Sequence, residues 1–503
     1  MTRLPALAFC AIIASASHAD QPAPFSEAVT GGSKLSQFFR AAQTTRVDVV
    51  GIGDSNQLFA GNGWDYGWIL GVDNRLGTYA SSLLSLGENE GNSANAGVGF
   101  RITATSSQGI FQYSGASSPY NDFLTPGIGM RPLNYIRVPA DQSTSLLNHG
   151  MSLTAGSIIT VTDPIRFHLS YAAFEDTPPN TFRPIVRLGQ SPFTVLYESP
   201  PLSTQGEPGI VSSSFDFPGA ATPAPLQFML GRFNTTLNGP FVGYTARAER
   251  PTVASGGSFS TLYAFGSQSA RDMAAAITAA SDLYLTTYFD QIRNLQGDEK
   301  FVLVRINTGL NDRNENLPPV DGSDFPPNSP EAYSANLRVI LNRINTIWSN
   351  AGWNPSELYF LITPSHPVDQ PDQQILIDYR QAARELAAEF NRCAVVDFTL
   401  LTDASEMLQN NWYQSGGSDR NHLTLPAYET LALRELDALL TYTTCPDITG
   451  SGSVGLGDLN AVLSAFGTAS PRADLNGDGI VNLQDLNALL QAFASTCSSS
   501  AHD

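Results

Sequence analysis

Ser55 stands in Gly53-Asp54-Ser55-Asn56, directly after the apolar run Val47–Ile52. A serine hydroxyl becomes a nucleophile when a base takes its proton and N–H donors face the oxyanion that forms. Gly, Asp and Ser are also ordinary turn residues, so the rest of the chain has to supply those partners. Candidate bases are few: beyond His18 near the N-terminus there are only His149, His168, His366, His422 and His502. His422 lies in the polar loop Ser418–Thr424 ahead of a helical pattern, and Asp419 precedes it by three positions. From that offset a carboxylate can accept the Nδ1 proton and fix the tautomer. His366, in Pro364-Ser365-His366-Pro367 after a strand-like run, is the runner-up. For donors, the backbone N–H of Gly266 sits at an expected strand-to-helix turn, where a glycine lets substrate approach the backbone. The side-chain amide of Asn311, in the loop after Phe301–Ile306, is a second. The chemistry these residue types point to is acyl transfer through a serine.

Such a constellation needs elements that carry each residue to one place. Val47–Ile52 is β-branched, apolar and closed by Gly, the pattern of a buried strand. Thr261–Phe265 reads as another strand and runs into one long amphipathic helical pattern, Ala270–Leu295. After it come strand Phe301–Ile306, helix Glu331–Ser349, strand Leu358–Ile362, helix Gln373–Phe390, strand Ala394–Phe398 and a helix over Pro426–Thr441. Strands alternating with helices predict an α/β fold with a doubly wound parallel sheet. Open sheets of this kind bind ligands beyond the carboxyl ends of their strands, where Ser55 stands.

The texture changes over residues 100–255, where short β-rich runs alternate with Pro, Gly and Ser. The runs are Ser157–Val161, Ile165–Leu169, Phe182–Leu188, Phe193–Tyr197, Leu226–Leu230 and Phe241–Ala246, and they predict an inserted β-sandwich. It would bind carbohydrate or shape the rim of the site. Upstream, Trp64, Tyr66 and Trp68 alternate, as rings that wall a sugar site or simply pack.

The blocks Gly53-Asp54-Ser55-Asn56, Gly266, Gly309-Leu310-Asn311-Asp312 and Asp419-Arg420-Asn421-His422, in that order, resemble the four blocks of the SGNH (GDSL-like) hydrolases. Ala264–Arg271 is similar to the second block in sugar acetylesterases of that superfamily. The resemblance implies an SGNH-type sheet over 40–99 and 256–443, with Ser55 as nucleophile, His422 as base and Asp419 as its orienter. It implies an oxyanion hole built from the Ser55 N–H, Gly266 and Asn311. Two departures stand out: Asn56 replaces the usual Leu, and about 210 residues separate Ser55 from Gly266. Asn95–Gly99, with Gly99 as donor, is the alternative second block.

The C-terminal end is a repeat. Residues 447–466 recur at 474–493 with a period of 27. The second copy places Asp474, Asn476, Asp478, Ile480 (by its carbonyl), Asn482 and Asp485 at positions 1, 3, 5, 7, 9 and 12 of a calcium loop, with Gly479 at position 6 of the turn. The first copy has Asp447, Thr449, Ser451, Gly452, Ser453 and Asp458, with fewer carboxylates, and reads equally as a weak calcium site or a metal-free structural loop. The pair resembles a type I dockerin, which implies a small α-helical, EF-hand-like module over 445–497 and a cohesin-like protein partner. Cys445 and Cys497 bracket it and can close it as a disulfide in an oxidising compartment. Cys393 opens an apolar run and reads as a buried free thiol, and no Cys/His spacing indicates zinc.

Composition bounds the partners. Residues 1–19 combine Arg3, an apolar stretch and Ser17-His18-Ala19, the pattern of a cleaved signal peptide. Without them the chain holds 26 basic and 46 acidic residues, a net charge of −20. So acidic a protein is a poor partner for nucleic acid or anionic membranes. No later run reaches the ~20 apolar residues of a membrane span. The expectation is a secreted or cell-surface serine esterase acting on acylated carbohydrate. The alternatives are a lipid or aryl esterase, or a non-catalytic adhesion or scaffold protein with a hydrolase-like core.

Overall fold

The computed structural model describes residues 26–58, 72, 75–83, 101–104, 136–138, 149–153, 164–173, 181–188, 194–219, 226–232, 241–264, 268–368, 373–414, 419–449, 451, 453–470, 472–476 and 480–497. The expected signal segment, the aromatics at 64–68, the run Ser157–Val161 and the alternative block Asn95–Gly99 lie outside them.

Five parallel strands form the middle of the central sheet: β1 (Arg46–Gly53), β2 (Gly256–Ala264), β3 (Val302–Thr308), β4 (Leu358–Pro364) and β5 (Cys393–Val396). Their spatial order is β5–β4–β3–β1–β2, with Val29–Thr30 antiparallel at the β5 edge. Helices cover both faces, so the strands are apolar on both sides. Val50, Ile52, Val304 and Ile362 pack against α3 (Ala270–Ala279), α4 (Asp282–Arg293), α5 (Pro330–Asn350) and α6 (Gln373–Ala388). Val47, Val49, Leu303 and Leu361 face the other way, toward α1 (Ser36–Thr44) and α7 (Leu425–Leu440). The strand period of two sends alternate β1 residues into the two cores. After β1 the chain places β2 on one side and β3 on the other, so strand order reverses at β1. That switch point puts the ends of β1, β2 and β3 around one crevice.

Three local features differ from the sequence pattern. The helical stretch after β2 is two helices, because the Ser281 side chain accepts a hydrogen bond from Tyr284 N–H and starts α4 while Ala280 is extended. β2 begins at Gly256, well before Thr261, although Gly-Gly-Ser is a poor strand former. Residues Asp419–Leu423 form a short strand paired with Tyr413–Gln414 rather than an irregular loop.

The β-rich region is continuous with the parallel sheet. Thr78–Leu83 runs parallel to β2 and is followed in space by the antiparallel strands Phe241–Glu249, Ile165–Ala173 and Gly209–Phe217. The strands Arg101–Ala104, His149–Leu153, Thr181–Leu188, Val195–Glu198, Leu202–Ser203 and Leu226–Arg232 make a second, six-stranded sheet. Tyr197 of this second sheet meets Phe215 and Phe217 of the first, with ring centroids 6.4 Å apart in both pairs. One polar cluster ties the inserted strands to β1. Asp48, fully buried, accepts from Arg247 Nη2 at 2.6 Å, from Gln296 Nε2 at 2.7 Å and from the Ser258 hydroxyl. A buried carboxylate is stable only when paired and hydrogen-bonded in this way.

The C-terminal repeat folds as α8 (Leu456–Ala465) and α9 (Leu483–Gln491) around a small core of Ile448, Val454, Val462, Val481 and Leu489, closed by a Cys445–Cys497 disulfide. It lies against the amino ends of the parallel strands. Arg472 Nη1 donates to the Ser356 carbonyl at 2.8 Å and Nη2 to the Lys300 carbonyl at 3.0 Å, with the guanidinium over the Phe301 ring. Among the described residues no helix is long and apolar enough to cross a membrane.

Candidate active site

β1 ends at Gly53 and delivers Ser55 to the crevice, at the start of the one-turn helix α2 (Ser55–Leu58). Across it stands the strand Asp419–Leu423, with His422 Nε2 3.0 Å from Ser55 Oγ. His422 Nδ1 lies 2.8 Å from Asp419 Oδ2. An ionised carboxylate only accepts, so Nδ1 carries the proton and Nε2 turns its lone pair to the serine. Asp419 Oδ1 accepts from the N–H groups of Asn421 (2.9 Å) and His422 (3.2 Å). Burial works against the Asp419 charge, but the bonds from His422 and Asn421 outweigh it and hold the carboxyl below its ordinary range. Serine, imidazole and carboxylate, 367 positions apart at the extremes, therefore form one hydrogen-bonded chain.

β3 delivers Asn311. Its Nδ2 donates to the Gln268 carbonyl at 3.0 Å and to Asp54 Oδ2 at 3.3 Å. This puts the amide between the residue before Ser55 and the segment after β2. The turn from β3 requires Gly309, whose φ of +115° is disfavoured for residues with a side chain and whose missing Cβ would face Ser365 N at 3.5 Å. Gly266 lies in 265–267, outside the described residues, between β2 ending at Ala264 and α3 beginning at Ala270.

Two buried acids sit beneath the crevice. Burial raises Asp54 to about 6, against the lowering effect of its hydrogen bond from Asn56 N–H, and raises Asp312 to about 7, with the charge of Asp54 adding to the rise. Asp312 nevertheless anchors the loops: its Oδ1 accepts from Ala270 N–H at 2.9 Å, its Oδ2 from Thr308 Oγ1 and Gly309 N–H, both at 3.1 Å. Both folded-state values lie above the ordinary 3.8 of a carboxyl. At these two groups the folded chain holds more protons than the unfolded one, so their contribution to stability falls as pH rises from about 4 to about 7. Asp312→Asn should flatten that decline, read as melting temperatures at pH 4.5 and 7.5. An unchanged slope would assign the effect elsewhere.

Sequence reading missed a bridge behind the nucleophile. Tyr428 on α7 donates its hydroxyl proton to Asn56 Oδ1 at 2.6 Å and accepts from Leu423 N–H at 3.2 Å. The Asn56 side chain thus links the Ser55 turn to the strand bearing His422. Nothing in either local sequence marks a pair 372 positions apart. Tyr428→Phe leaves two buried polar groups unpaired, at a cost of roughly 2 kcal/mol. Loosening the Ser55–His422 geometry should lower kcat about tenfold with KM little changed. Steady-state kinetics and a thermal melt check both.

The runner-up histidine has another place. His366 is almost fully buried, is driven down to about 3 by that burial, and hydrogen-bonds the backbone of Arg420, between Asp419 and His422. It is neutral and sits behind the strand that carries the base. Arg313 Nη2 donates to Asn421 Oδ1 at 3.0 Å and ties the same strand to the loop after β3.

In the second calcium-type loop, Asp474 and Asp485 are buried. Asp485 Oδ1 accepts from Leu475 N–H (2.7 Å) and Asn476 N–H (3.1 Å), and Oδ2 from Asn482 N–H (2.7 Å). Its candidate donors are all oxygens, the chemistry of a hard divalent cation. Asp478 lies outside the described residues, and among those described no three His, Cys, Asp or Glu gather as a metal site.

No family model matches the chain, and no curated protein matches it. Among solved structures, a peptidoglycan O-acetylesterase is similar over 84% of this chain and 98% of its own, at 12% identity and a TM-score of 0.47. A family two carbohydrate esterase from Clostridium thermocellum, in complex with cellohexaose, is similar over 58% and 93%, at 10% identity and 0.25. An aryl esterase from M. smegmatis is similar over 35% and 77%, at 14% identity and 0.22. These neighbours are esterases. Their TM-scores are below 0.5, so the chemistry of this chain rests on its own side chains.

Proposed function

We propose that the protein is a serine ester hydrolase that removes acyl groups, acetyl foremost, from carbohydrate. The observation that carries the reaction type is the chain Ser55 Oγ–His422 Nε2 (3.0 Å) and His422 Nδ1–Asp419 Oδ2 (2.8 Å). His422 takes the Ser55 proton as Oγ attacks the ester carbonyl, and the tetrahedral oxyanion is held by N–H donors. Asn311 is one donor, exchanging its longer bond, to Asp54, for the oxyanion; the N–H groups of Ser55 and Gly266 are the others proposed. His422 then protonates the departing sugar oxygen, and water, activated by the same imidazole, releases the acid and restores Ser55. Carbohydrate as substrate is supported by the resemblance of Ala264–Arg271 to sugar acetylesterases.

The test is burst-phase release from an aryl acetate, fluorophosphonate labelling at Ser55, and acetate release from acetylated oligosaccharides. Labelling elsewhere, or none, would remove the serine mechanism. Turnover of aryl or lipid esters with no acetate from any glycan would move the reading to the alternative esterase.

In the same reading the protein is exported and the C-terminal module holds one calcium ion through Asp474, Asn476, Asp478, the Ile480 carbonyl, Asn482 and Asp485. When bound, the ion cross-links a loop whose carboxylates otherwise repel. The module also presents apolar side chains in pairs 27 positions apart, Leu456 with Leu483, Leu463 with Leu490 and Phe466 with Phe493, all exposed. Such duplicated apolar positions favour a cohesin-like protein partner.

A further inference from the structure

The loop after β3 holds the turn before α3 through a row of hydrogen bonds. Asp312 Oδ1 accepts from Ala270 N–H at 2.9 Å, and Arg271 Nε donates to the Pro318 carbonyl at 3.1 Å. Between them Ser269 Oγ donates to Glu315 Oε2 at 2.5 Å. Ser269 is 2% exposed and caps α3: its Oγ accepts from Asp272 N–H at 3.3 Å, and its own N–H donates to Asp272 Oδ2 at 3.2 Å. That exchange completes a capping box and uses only a lone pair of the hydroxyl. Asp272 Oδ2 also lies 3.2 Å from Ser269 Oγ, but a hydroxyl has one proton, and the shorter contact takes it to Glu315.

Glu315 is itself fixed. Its Oε1 accepts from Asn316 N–H and Leu317 N–H, both at 2.9 Å, which closes the loop on its own backbone. A bond from a hydroxyl to a carboxylate at this length is stronger than one between neutral groups. Starting α3 does not require it, since Ser269 and Asp272 cap the helix between them. What the bond secures is the preceding residue. The Gln268 carbonyl accepts from Asn311 Nδ2 at 3.0 Å, and the Gln268 side chain accepts from the Tyr263 hydroxyl at 3.1 Å. The Asn311 amide is planar and carries two protons. With one held by the Gln268 carbonyl, the other points to Asp54 Oδ2, 3.3 Å away, and is the one an oxyanion would take.

We infer that Glu315 is a positioning residue for ester hydrolysis: through Ser269 it holds the Gln268 carbonyl that aims the Asn311 amide. The inference rests on the reading of Asn311 as an oxyanion donor. Such a donor is effective because its direction is set before the charge forms. Slack in the amide therefore costs rate in the transition state, while binding of the uncharged ester, which makes no call on the donor, is spared.

A cycle of variants assayed on an aryl acetate tests it, with fluorophosphonate labelling at Ser55 as the check on the serine mechanism. Asn311→Ala alone should lower kcat about a hundredfold. Glu315→Ala should lower kcat about tenfold, with KM within about twofold of the wild type. In the Asn311→Ala background the same change should cost less than about twofold, because no amide remains to be aimed. Glu315→Gln keeps a bridge, its Nε2–H donating to Ser269 Oγ while the serine proton turns to Asp272, and should restore most of the rate. A tenfold loss repeated in the Asn311→Ala background overturns the inference and leaves the serine esterase standing, as does a Glu315→Ala kcat equal to that of the wild type. Absence of labelling at Ser55 removes both. Should Glu315→Ala not fold, Ser269→Gly decides through the same cycle, since glycine still caps a helix but has no hydroxyl proton to give.

Discussion

Ser55→Ala should lower kcat on an aryl acetate by roughly 10⁵-fold, leaving only the rate that binding and the oxyanion donors support without a nucleophile. Among the described residues the Ser55 hydroxyl bonds to His422 Nε2, at 3.0 Å, and to no backbone group. Its removal therefore disturbs chemistry far more than folding, and stability should change by less than about 1 kcal/mol. The same variant should lose fluorophosphonate labelling while its far-UV spectrum and melting temperature stay put. Full turnover by Ser55→Ala would mean that another group attacks the ester.

The second large effect is expected at Asp419. In Asp419→Asn the side chain can present Nδ2–H to His422 Nδ1, which drives the proton to Nε2 and removes the lone pair that faces Ser55. The loss expected is roughly 10³- to 10⁴-fold in kcat. Asp419→Ala should be less damaging than Asn. The Asp419 side chain is 31% exposed, so water can enter and accept the Nδ1 proton in its place. This ordering is a sharper test than either variant alone, since a purely structural role would make the near-isosteric Asn the milder change. Kinetics of both, at matched folded concentration, read it directly.

The parts of the site carried by local pattern were legible. Val47–Ile52 followed by Gly-Asp-Ser marks a buried strand with a polar turn at its end, and Asp419 to His422 is a contact across three positions. Helices α5, α6 and α7 have periodicities that place their ends within a few residues of those observed. Where the pattern was overridden, a long-range contact did it. The glycines at 256 and 257 are poor strand formers, yet the chain there pairs with β1 on one side and Thr78–Leu83 on the other. The break at Ser281 was hidden because apolar periodicity continues through it, and only the cap at Tyr284 N–H ends one helix and starts the next. The β-rich insertion reads as short alternating strands, but local alternation says nothing about which sheet each strand joins.

By itself the sequence determined which groups exist to do chemistry: one serine at a strand end, a histidine with its acid three residues before it, an amide after the third parallel strand, and a repeated acidic loop. Those are properties of residue type and short spacing, written in steric and hydrogen-bonding preferences that act over a few residues. The tertiary structure alone decided that His422 rather than His366 meets Ser55, that Tyr428 clamps Asn56 to Leu423, and that Arg40 of α1 reaches the Cys445 carbonyl. Each of these joins residues far apart in the chain. Which of them meet depends on the strand order β5–β4–β3–β1–β2 and on the burial that selects it, and burial is a property of the whole packed layer.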